Sequence, residues 1–191
     1  MNIILCSASE RRRKLVCRLG APYTVFRPDV DENLPVKDPV KLVKKLALSK
    51  ALAGARRFSG GIALGVDTIV VFRGEIIGKP ASPADAHRIL KKLNGSVHRV
   101  YSGFALLDCK SGRAVTDCEV TRVKLRRLPA ERIKELSTRH LDKAGAYAVQ
   151  EKSDAFVEKI YGDYNNVVGF PVKKISKRLS EVFGEYFDFK R

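Results

Sequence analysis

Short apolar runs alternate with polar turns in the first half of the chain, and the clearest such pattern covers residues 65–80. A mostly β-branched run at 69–72 ends at Arg73-Gly74, and a second run follows at 75–77. This pattern predicts a buried β-hairpin. Asp67 and Lys79 lie at the two open ends of the hairpin. We therefore expect a carboxylate and an ammonium to face the same end of the sheet, as a site for a metal and a phosphate would require.

Four further segments have the apolar spacing of helices that bury one face. The first follows Ser9, which suits an N-cap, and ends at Gly20. The others begin near Asp38-Pro39, Ser82-Pro83 and Val172, where capping residues and prolines mark helix starts. A shorter helix is expected within residues 129–139.

The second half of the chain opens with alternating apolar and polar residues at 98–109 and 113–128, which predict a two-stranded ribbon. Helices that alternate with strands, followed by such a ribbon, indicate an α/β fold with a mixed sheet. No segment has the composition of a linker between domains. A single domain is therefore expected over residues 1–191, a length with room for two lobes.

The composition is that of a globular protein, with 45% hydrophobic and 30% charged residues. No run approaches the roughly 18 apolar residues of a membrane span. The first five residues also lack the basic and apolar regions of a signal peptide, so we expect a cytoplasmic protein without a membrane partner.

The net charge and the cysteine content leave several functions open. The net charge of +16 fits a polyanionic partner, either nucleic acid or nucleotide, or a generally basic proteome. The four cysteines, Cys6, Cys17, Cys109 and Cys118, lack zinc-site spacing. Reduced structural thiols are therefore favoured over a bridge between Cys109 and Cys118.

Residues 7–13 combine the end of a predicted strand, two serines, a helix start and three arginines. Free backbone N–H groups and guanidinium groups at one spot favour phosphate binding. The alternative is an ordinary cap with a solvated arginine face.

Carboxylates and a lysine give further candidates for a charged site. Asp29, Asp31 and Glu32 lie within four residues and either hold a hard cation such as magnesium or form a solvated loop. Lys50 ends the apolar face of its helix and either extends to water or reaches into a cleft. Asp67 ends a buried strand, where a carboxylate is more often functional or a turn-former than a free surface charge.

Several of these segments occur together in the order and spacing of a known family. From Leu5 to about Leu179 the chain resembles the Maf family, the septum formation protein-like nucleoside triphosphate pyrophosphatases. Glu10 stands where the family has proline, and residues 151–154 replace a glycine-containing stretch. The matching segments are Ser7-Ala8-Ser9-Glu10-Arg11-Arg12, Asp31-Glu32, Lys50-Ala51, Gly65-Val66-Asp67-Thr68, Gly78-Lys79-Pro80, Leu93-Asn94-Gly95 with His98, residues 142–147, Gln150 and residues 166–171.

The resemblance implies a fold and a reaction. The fold would be an elongated mixed sheet flanked by helices, with two lobes and a central cleft, like that of inosine triphosphate pyrophosphatases. The reaction would be hydrolysis of a nucleoside triphosphate between the α and β phosphates, giving a nucleoside monophosphate and pyrophosphate. A divalent metal, Mg²⁺ or Mn²⁺, would assist it.

The resemblance also implies roles for individual residues. Asp67 would be the proton acceptor or a metal ligand, and Glu32 a metal ligand. The residues that would hold the triphosphate are Ser7, Arg12, Lys50 and Lys79. The subgroup that favours dTTP and UTP has arginine, threonine and glutamine at three positions, which are here Arg11, Thr68 and Gln150. A sister subgroup with other residues there prefers methylated guanine nucleotides.

Two other functions stay open. One is a broader house-cleaning pyrophosphatase for modified pyrimidine nucleotides. The other is a basic nucleic-acid-binding or division-regulating protein without turnover. We consider nucleic acid the weaker expectation, because the basic ribbon residues, among them Arg122 and Lys124, have no aromatic stacking partner nearby in the sequence. A homodimer is consistent with the resemblance, although no apolar stripe predicts an interface.

Overall fold

The computed structural model describes residues 1–149 and 156–184, which form seven strands and six α-helices. The strands are β1 (Ile3–Cys6), β2 (Tyr23–Phe26), β3 (Ile62–Phe72), β4 (Glu75–Ile77), β5 (Val97–Asp108), β6 (Ala114–Leu125) and β7 (Val157–Tyr161). The helices are α1 (Glu10–Val16), α2 (Pro39–Arg57), α3 (Pro83–Leu93), α4 (Ala130–Leu136), α5 (Tyr164–Val168) and α6 (Val172–Phe183).

The seven strands form one mixed sheet in the order β2-β1-β3-β5-β6-β7, with β4 paired to the end of β3. Strand β1 is parallel to both β2 and β3, whereas β4 is antiparallel to β3 and β7 is antiparallel to β6. The pairs Val70–Ile77 and Phe72–Glu75 confirm the predicted hairpin. The α/β class with a mixed sheet flanked by helices is likewise confirmed.

The first of two compact units contains residues 1–67, 102–119 and 169–184. Because side chains alternate along a strand, Ile3 and Leu5 enter one core cluster, with Phe104 and residues of α6. Ile4 and Cys6 enter a second cluster, with the small residues of α2. Both faces of β1 are therefore covered, which explains its uninterrupted apolar sequence.

Helix α2 approaches the sheet closely because two glycines lie beneath it. A Cβ atom on Gly65 would lie 2.0 Å from the carbonyl oxygen of Ala47, and one on Gly103 would lie 2.4 Å from the backbone of Val43. Neither position has room for a side chain. The glycines therefore set the distance between α2 and strands β3 and β5.

The second unit contains residues 68–101, 120–149 and 156–168. Its core packs the apolar faces of α3 and α4 against Val100, Val123 and Phe156. At the start of β5, Val97 and Arg99 are exposed and Tyr101 is partly buried, while His98 and Val100 are buried. This period of two means that one face of this part of β5 packs in the core and the other faces solvent.

All four cysteines are free thiols, so the Cys109–Cys118 bridge does not form. Among residues 1–149 and 156–184, no helix combines the length and apolar character needed to cross a membrane.

His98 is buried in the core of the second unit, with 2% of its surface exposed. Its Nε2 lies 2.7 Å from the hydroxyl of Tyr147, and the two rings meet edge to face. Nδ1 has no hydrogen-bond partner within the described part of the chain. Burial lowers the pKa of His98 from its usual 6.5 to about 4, so the imidazole is neutral at pH 7.

His98 should make the protein less stable in mild acid. The unfolded chain binds a proton at His98 below about pH 6.5, whereas the folded chain resists protonation down to about pH 4. The contribution of the neutral His98 to the free energy of unfolding is therefore complete above pH 6.5 and declines as the pH falls towards 4. We expect the free energy of unfolding to drop by about 2 kcal/mol between pH 7.5 and 5 from this group.

Urea denaturation of the native protein and of His98→Gln at both pH values measures this effect. The variant cannot titrate at this position. Between pH 7.5 and 5 its free energy of unfolding should therefore fall by about 2 kcal/mol less than that of the native protein. Equal changes in the two proteins would show that His98 does not titrate as its burial implies.

Candidate active site

Lys50 reaches a buried position between two carboxylates instead of extending to water. Only 7% of its surface is exposed. Its Nζ donates to Oδ1 of Asp67 at 2.6 Å and lies 2.7 Å from Oε1 of Glu32. Asp67 is itself 7% exposed. A buried ammonium and a buried carboxylate therefore satisfy each other, as charges removed from water require.

The packing of α2 on β3 brings Lys50 and Asp67 together. Ala47, Lys50 and Ala51 lie on the sheet-facing side of α2 and are buried. Gly65 lies two residues before Asp67 on β3, so both point to the same side of the sheet. Since Gly65 has no side chain, the helix comes close enough for Lys50 to reach the carboxylate.

The acidic loop before α2 contributes Glu32 to this cluster. The Glu32 side chain is 51% exposed, although its carboxylate contacts the buried Lys50. Asp31 instead accepts a hydrogen bond from the backbone N–H of Asn33 at 2.8 Å, a local turn. One of the three candidate carboxylates therefore joins the cluster, and a second stabilises the loop.

Arg12 braces the backbone around the same cluster. Its Nε donates to the carbonyl of Gly169 at 3.0 Å, and one terminal nitrogen donates to the carbonyl of Val66 at 2.8 Å and to Ser7 Oγ at 3.3 Å. Val66 immediately precedes Asp67. Burial lowers the pKa of the Arg12 guanidinium from its usual value, and the nearby Asp67 carboxylate opposes that shift.

The turn before α1 differs from the predicted cap. Ser9 holds the N-cap position, but its side chain makes no capping hydrogen bond. Its backbone N–H instead donates to Ser7 Oγ at 3.2 Å. Ser7, 5% exposed, thus links this turn to Arg12.

Arg12→Lys should destabilise the protein although it keeps the charge. The lysine ammonium cannot reproduce the two separated donors of the guanidinium, which reach the carbonyls of Gly169 and Val66 together. Buried carbonyl oxygens therefore lose a donor. We expect the free energy of unfolding to fall by about 1–3 kcal/mol in urea denaturation at pH 7.5. Arg13→Lys is the matched control, because Arg13 is exposed and should change stability by less than about 0.5 kcal/mol. Equal effects of the two substitutions would contradict the bracing role.

The remaining candidate residues lie elsewhere in the chain. Arg11 is partly buried on α1, in the first unit. Thr68 is partly buried on β3 and Lys79 is exposed after β4, both in the second unit. Gln150 lies outside the described residues. The roles assigned to these four positions stay predictions.

The backbone groups that accept hydrogen bonds from Arg12 were not predicted from the sequence. The carbonyls of Val66 and Gly169 accept its hydrogen bonds, and carbonyls carry no side-chain signal. The signal in the sequence is the glycine at position 169. Its φ of 102° in the turn before α6 is a conformation that favours glycine. Within the same segment, Asn166 is buried and donates to Thr121 Oγ1 and to the Val100 carbonyl, so it stabilises the second unit.

Comparison with known proteins identifies relatives of this chain. The family description "Maf-like protein" matches residues 2–182. A dTTP/UTP pyrophosphatase of Clostridium botulinum strain Kyoto is 42% identical, with 95% of this chain and 97% of the relative covered. Proteins of the same name from Alkaliphilus oremlandii and Elusimicrobium minutum are 41% and 38% identical, again over 95% of this chain, and 96% and 98% of the relatives are covered.

Among solved structures, the Ham1 protein of Staphylococcus aureus has a similar fold. Its TM-score is 0.57 at 12% sequence identity, with 95% of this chain and 99% of that chain covered. At this identity the likeness supports the fold alone. The match over residues 2–182, together with the relatives at about 40% identity, shows that the chain belongs to the Maf family.

Proposed function

We propose that this protein is a nucleoside triphosphate pyrophosphatase that hydrolyses dTTP and UTP. The products would be the nucleoside monophosphate and pyrophosphate. The observation that carries the proposal is the buried Asp67 carboxylate, held at 2.6 Å by Lys50 beside Glu32 and the Arg12 guanidinium. The names of the relatives at about 40% identity support the choice of substrates.

The proposed reaction needs cations that offset the charge of the substrate. A triphosphate carries about four negative charges, and transfer of a phosphoryl or nucleotidyl group depends on neutralising them and on positioning the attacking water. Lys50 and Arg12 present an ammonium and a guanidinium in one region of the first unit. Lys79 is proposed as a further phosphate ligand.

Asp67 is proposed as the group that accepts the proton of the attacking water. The water adds to the α phosphorus, the bond to the oxygen bridging the α and β phosphates breaks, and pyrophosphate leaves with that electron pair. Lys50 fixes the orientation of the carboxylate through its hydrogen bond. Arg12 fixes the strand from which Asp67 projects, because it holds the preceding carbonyl.

A divalent cation is proposed to share the same carboxylates. Oδ1 of Asp67 and Oε1 of Glu32 both contact Lys50 Nζ, at 2.6 and 2.7 Å, so the two carboxylates lie close together and a cation would bind them beside the ammonium. Oxygen ligands of this kind suit Mg²⁺ or Mn²⁺, which proteins commonly hold with one or two carboxylates and substrate phosphates. When bound, the metal would neutralise phosphate charge. Within the described residues, no cluster of three or more acidic, histidine or cysteine side chains could hold a metal without the substrate.

The base preference is proposed to depend on Arg11, Thr68 and Gln150. Thr68, which follows Asp67 directly on β3, is partly buried. Changing Arg11 should alter the ranking of nucleotides more than the total rate of hydrolysis.

The test is a nucleotide panel in ¹⁸O-labelled water, with Mg²⁺, Mn²⁺ or a chelator. We expect dTTP and UTP to be hydrolysed faster than CTP, dGTP and 7-methyl-GTP, with pyrophosphate as the first product. Attack at the α phosphorus places the label in the monophosphate. Orthophosphate as the first product, or label in pyrophosphate, would contradict the proposed reaction. Fastest turnover of 7-methyl-GTP would contradict the substrate assignment.

A further inference from the structure

Strands β5, β6 and β7 carry a set of basic and aromatic side chains on the face of the second unit opposite its core. We call this set the basic face. Its side chains point away from the core because their neighbours Val100, Val123 and Leu125 enter it. The basic face consists of Arg99, Tyr101, Val120, Arg122, Lys124, Lys159 and Tyr161.

Two cations lie close to the exposed ring of Tyr161. The strand register places it directly opposite Arg122. The Arg122 guanidinium lies 5.4 Å from the ring centroid, and Lys159 Nζ lies 5.1 Å from it. Even so, 42% of Tyr161 remains exposed. The sequence suggested no stacking partner for the ribbon cations, yet the pairing of β6 with β7 supplies one.

The charges of the basic face exceed what folding requires. Lys124 lies directly opposite Lys159, and like charges opposite one another destabilise a strand pair. Glu158 offsets part of this repulsion, at 2.7 Å from Lys124. Arg99 and Arg122 add two exposed guanidinium groups on the neighbouring strands.

Protection of the sheet edge explains only part of this arrangement. A lysine on an edge strand discourages pairing with other chains, and β7 ends the strand order. Arg122, however, lies on β6, between two other strands. An exposed tyrosine beside it does not discourage association. The combination is instead typical of surfaces that neutralise phosphates and stack bases on aromatic rings or guanidinium planes.

We propose that the basic face binds single-stranded nucleic acid. Arg99, Arg122, Lys124 and Lys159 would contact phosphates, and a base would stack on the composite surface of Tyr161 and Arg122. Duplexes should bind less well, because their base faces are already stacked. This site lies apart in sequence from the residues proposed to hydrolyse nucleotides, and binding needs no turnover.

The test is fluorescence anisotropy with labelled dT15, U15 and a 15-base-pair duplex. We expect both single strands to bind more tightly than the duplex. Tyr161→Ala should weaken single-strand binding about tenfold through lost stacking.

In salt titrations, the double substitution of Arg122 and Lys159 by alanine should reduce the slope of log K against log salt by about 1.4, as two lost phosphate contacts predict.

The matched control removes two exposed lysines outside the face, by substituting Lys45 and Lys91 with alanine. It should change affinity less than twofold. The proposal is overturned if the control weakens binding as much as the double substitution within the face, or if Tyr161→Ala binds normally. Displacement of dT15 by a non-hydrolysable α,β-methylene dTTP would show instead that the strand enters the nucleotide site.

The face could also associate with a second copy of the chain. Sedimentation of the native protein and of the Arg122 and Lys159 double variant distinguishes this arrangement. A native dimer that becomes a monomer on this substitution would show that the face is a subunit interface and would overturn the proposal. An unchanged oligomeric state, together with weakened binding of dT15, supports it.

Discussion

Replacement of Asp67 by asparagine is expected to lower kcat for dTTP by about 10²–10⁴-fold, the usual contribution of a well-placed general base. Asparagine has nearly the same shape and can still accept a hydrogen bond from Lys50, but it cannot take a proton from water. Glu32 stays 2.7 Å from Lys50, so the buried ammonium keeps one carboxylate and the fold is retained. Steady-state kinetics and thermal unfolding of the variant measure both effects.

Metal dependence separates the two roles open to Asp67. If it is the base, the variant should keep the native metal concentration for half-maximal activity while kcat falls. If it is mainly a metal ligand, that concentration should rise and excess metal should restore part of the rate. Glu32→Gln provides the comparison, because Glu32 is assigned to the metal and not to proton transfer and should show the second behaviour. Asp29→Asn is the control in the same loop, with kcat expected within twofold of native. Undiminished turnover of Asp67→Asn would refute both roles.

Strand and helix patterns were sufficient to predict the hairpin, the mixed-sheet class and the main helices, because their periodicities follow directly from which faces are buried. Asp67 was also identifiable, since a carboxylate at the end of a buried strand needs a partner. The partner was not identifiable. Lys50 ends an apolar helix face, where extension to water is the common outcome, and its actual direction depends on the close packing of α2 against Gly65.

Two other features depend on tertiary contacts that leave no side-chain pattern. Arg12 looked like a phosphate ligand alone, yet in the fold it also holds carbonyls of Val66 and Gly169, the latter 157 residues away in the chain. Tyr161 became a neighbour of Arg122 only through the register of β6 and β7, which shifts between Lys124 and Leu125. Such a shift moves side chains relative to their cross-strand partners and cannot be deduced from alternation.

Gly65→Ala is expected to reduce both stability and activity, although it adds only one methyl group. The new Cβ would lie 2.0 Å from the carbonyl oxygen of Ala47 and 2.7 Å from the backbone nitrogen of Ala51. These are helix backbone atoms, so the clash can be relieved only if α2 moves away from β3. Overpacking of this kind typically costs up to about 3 kcal/mol in the free energy of unfolding. Urea denaturation measures that loss.

The same movement should separate Lys50 from Asp67, because Lys50 lies between Ala47 and Ala51 on α2. A displacement of about 1 Å at a catalytic group can lower the rate about 10²-fold. Activity is best measured at 10 °C and low denaturant, where the variant is folded, so that a lower kcat reports geometry and not unfolding. Gly60→Ala is the control, since a Cβ there meets no atom within 4 Å. If Gly65→Ala kept native stability and native kcat, the close approach of α2 would not be what positions Lys50.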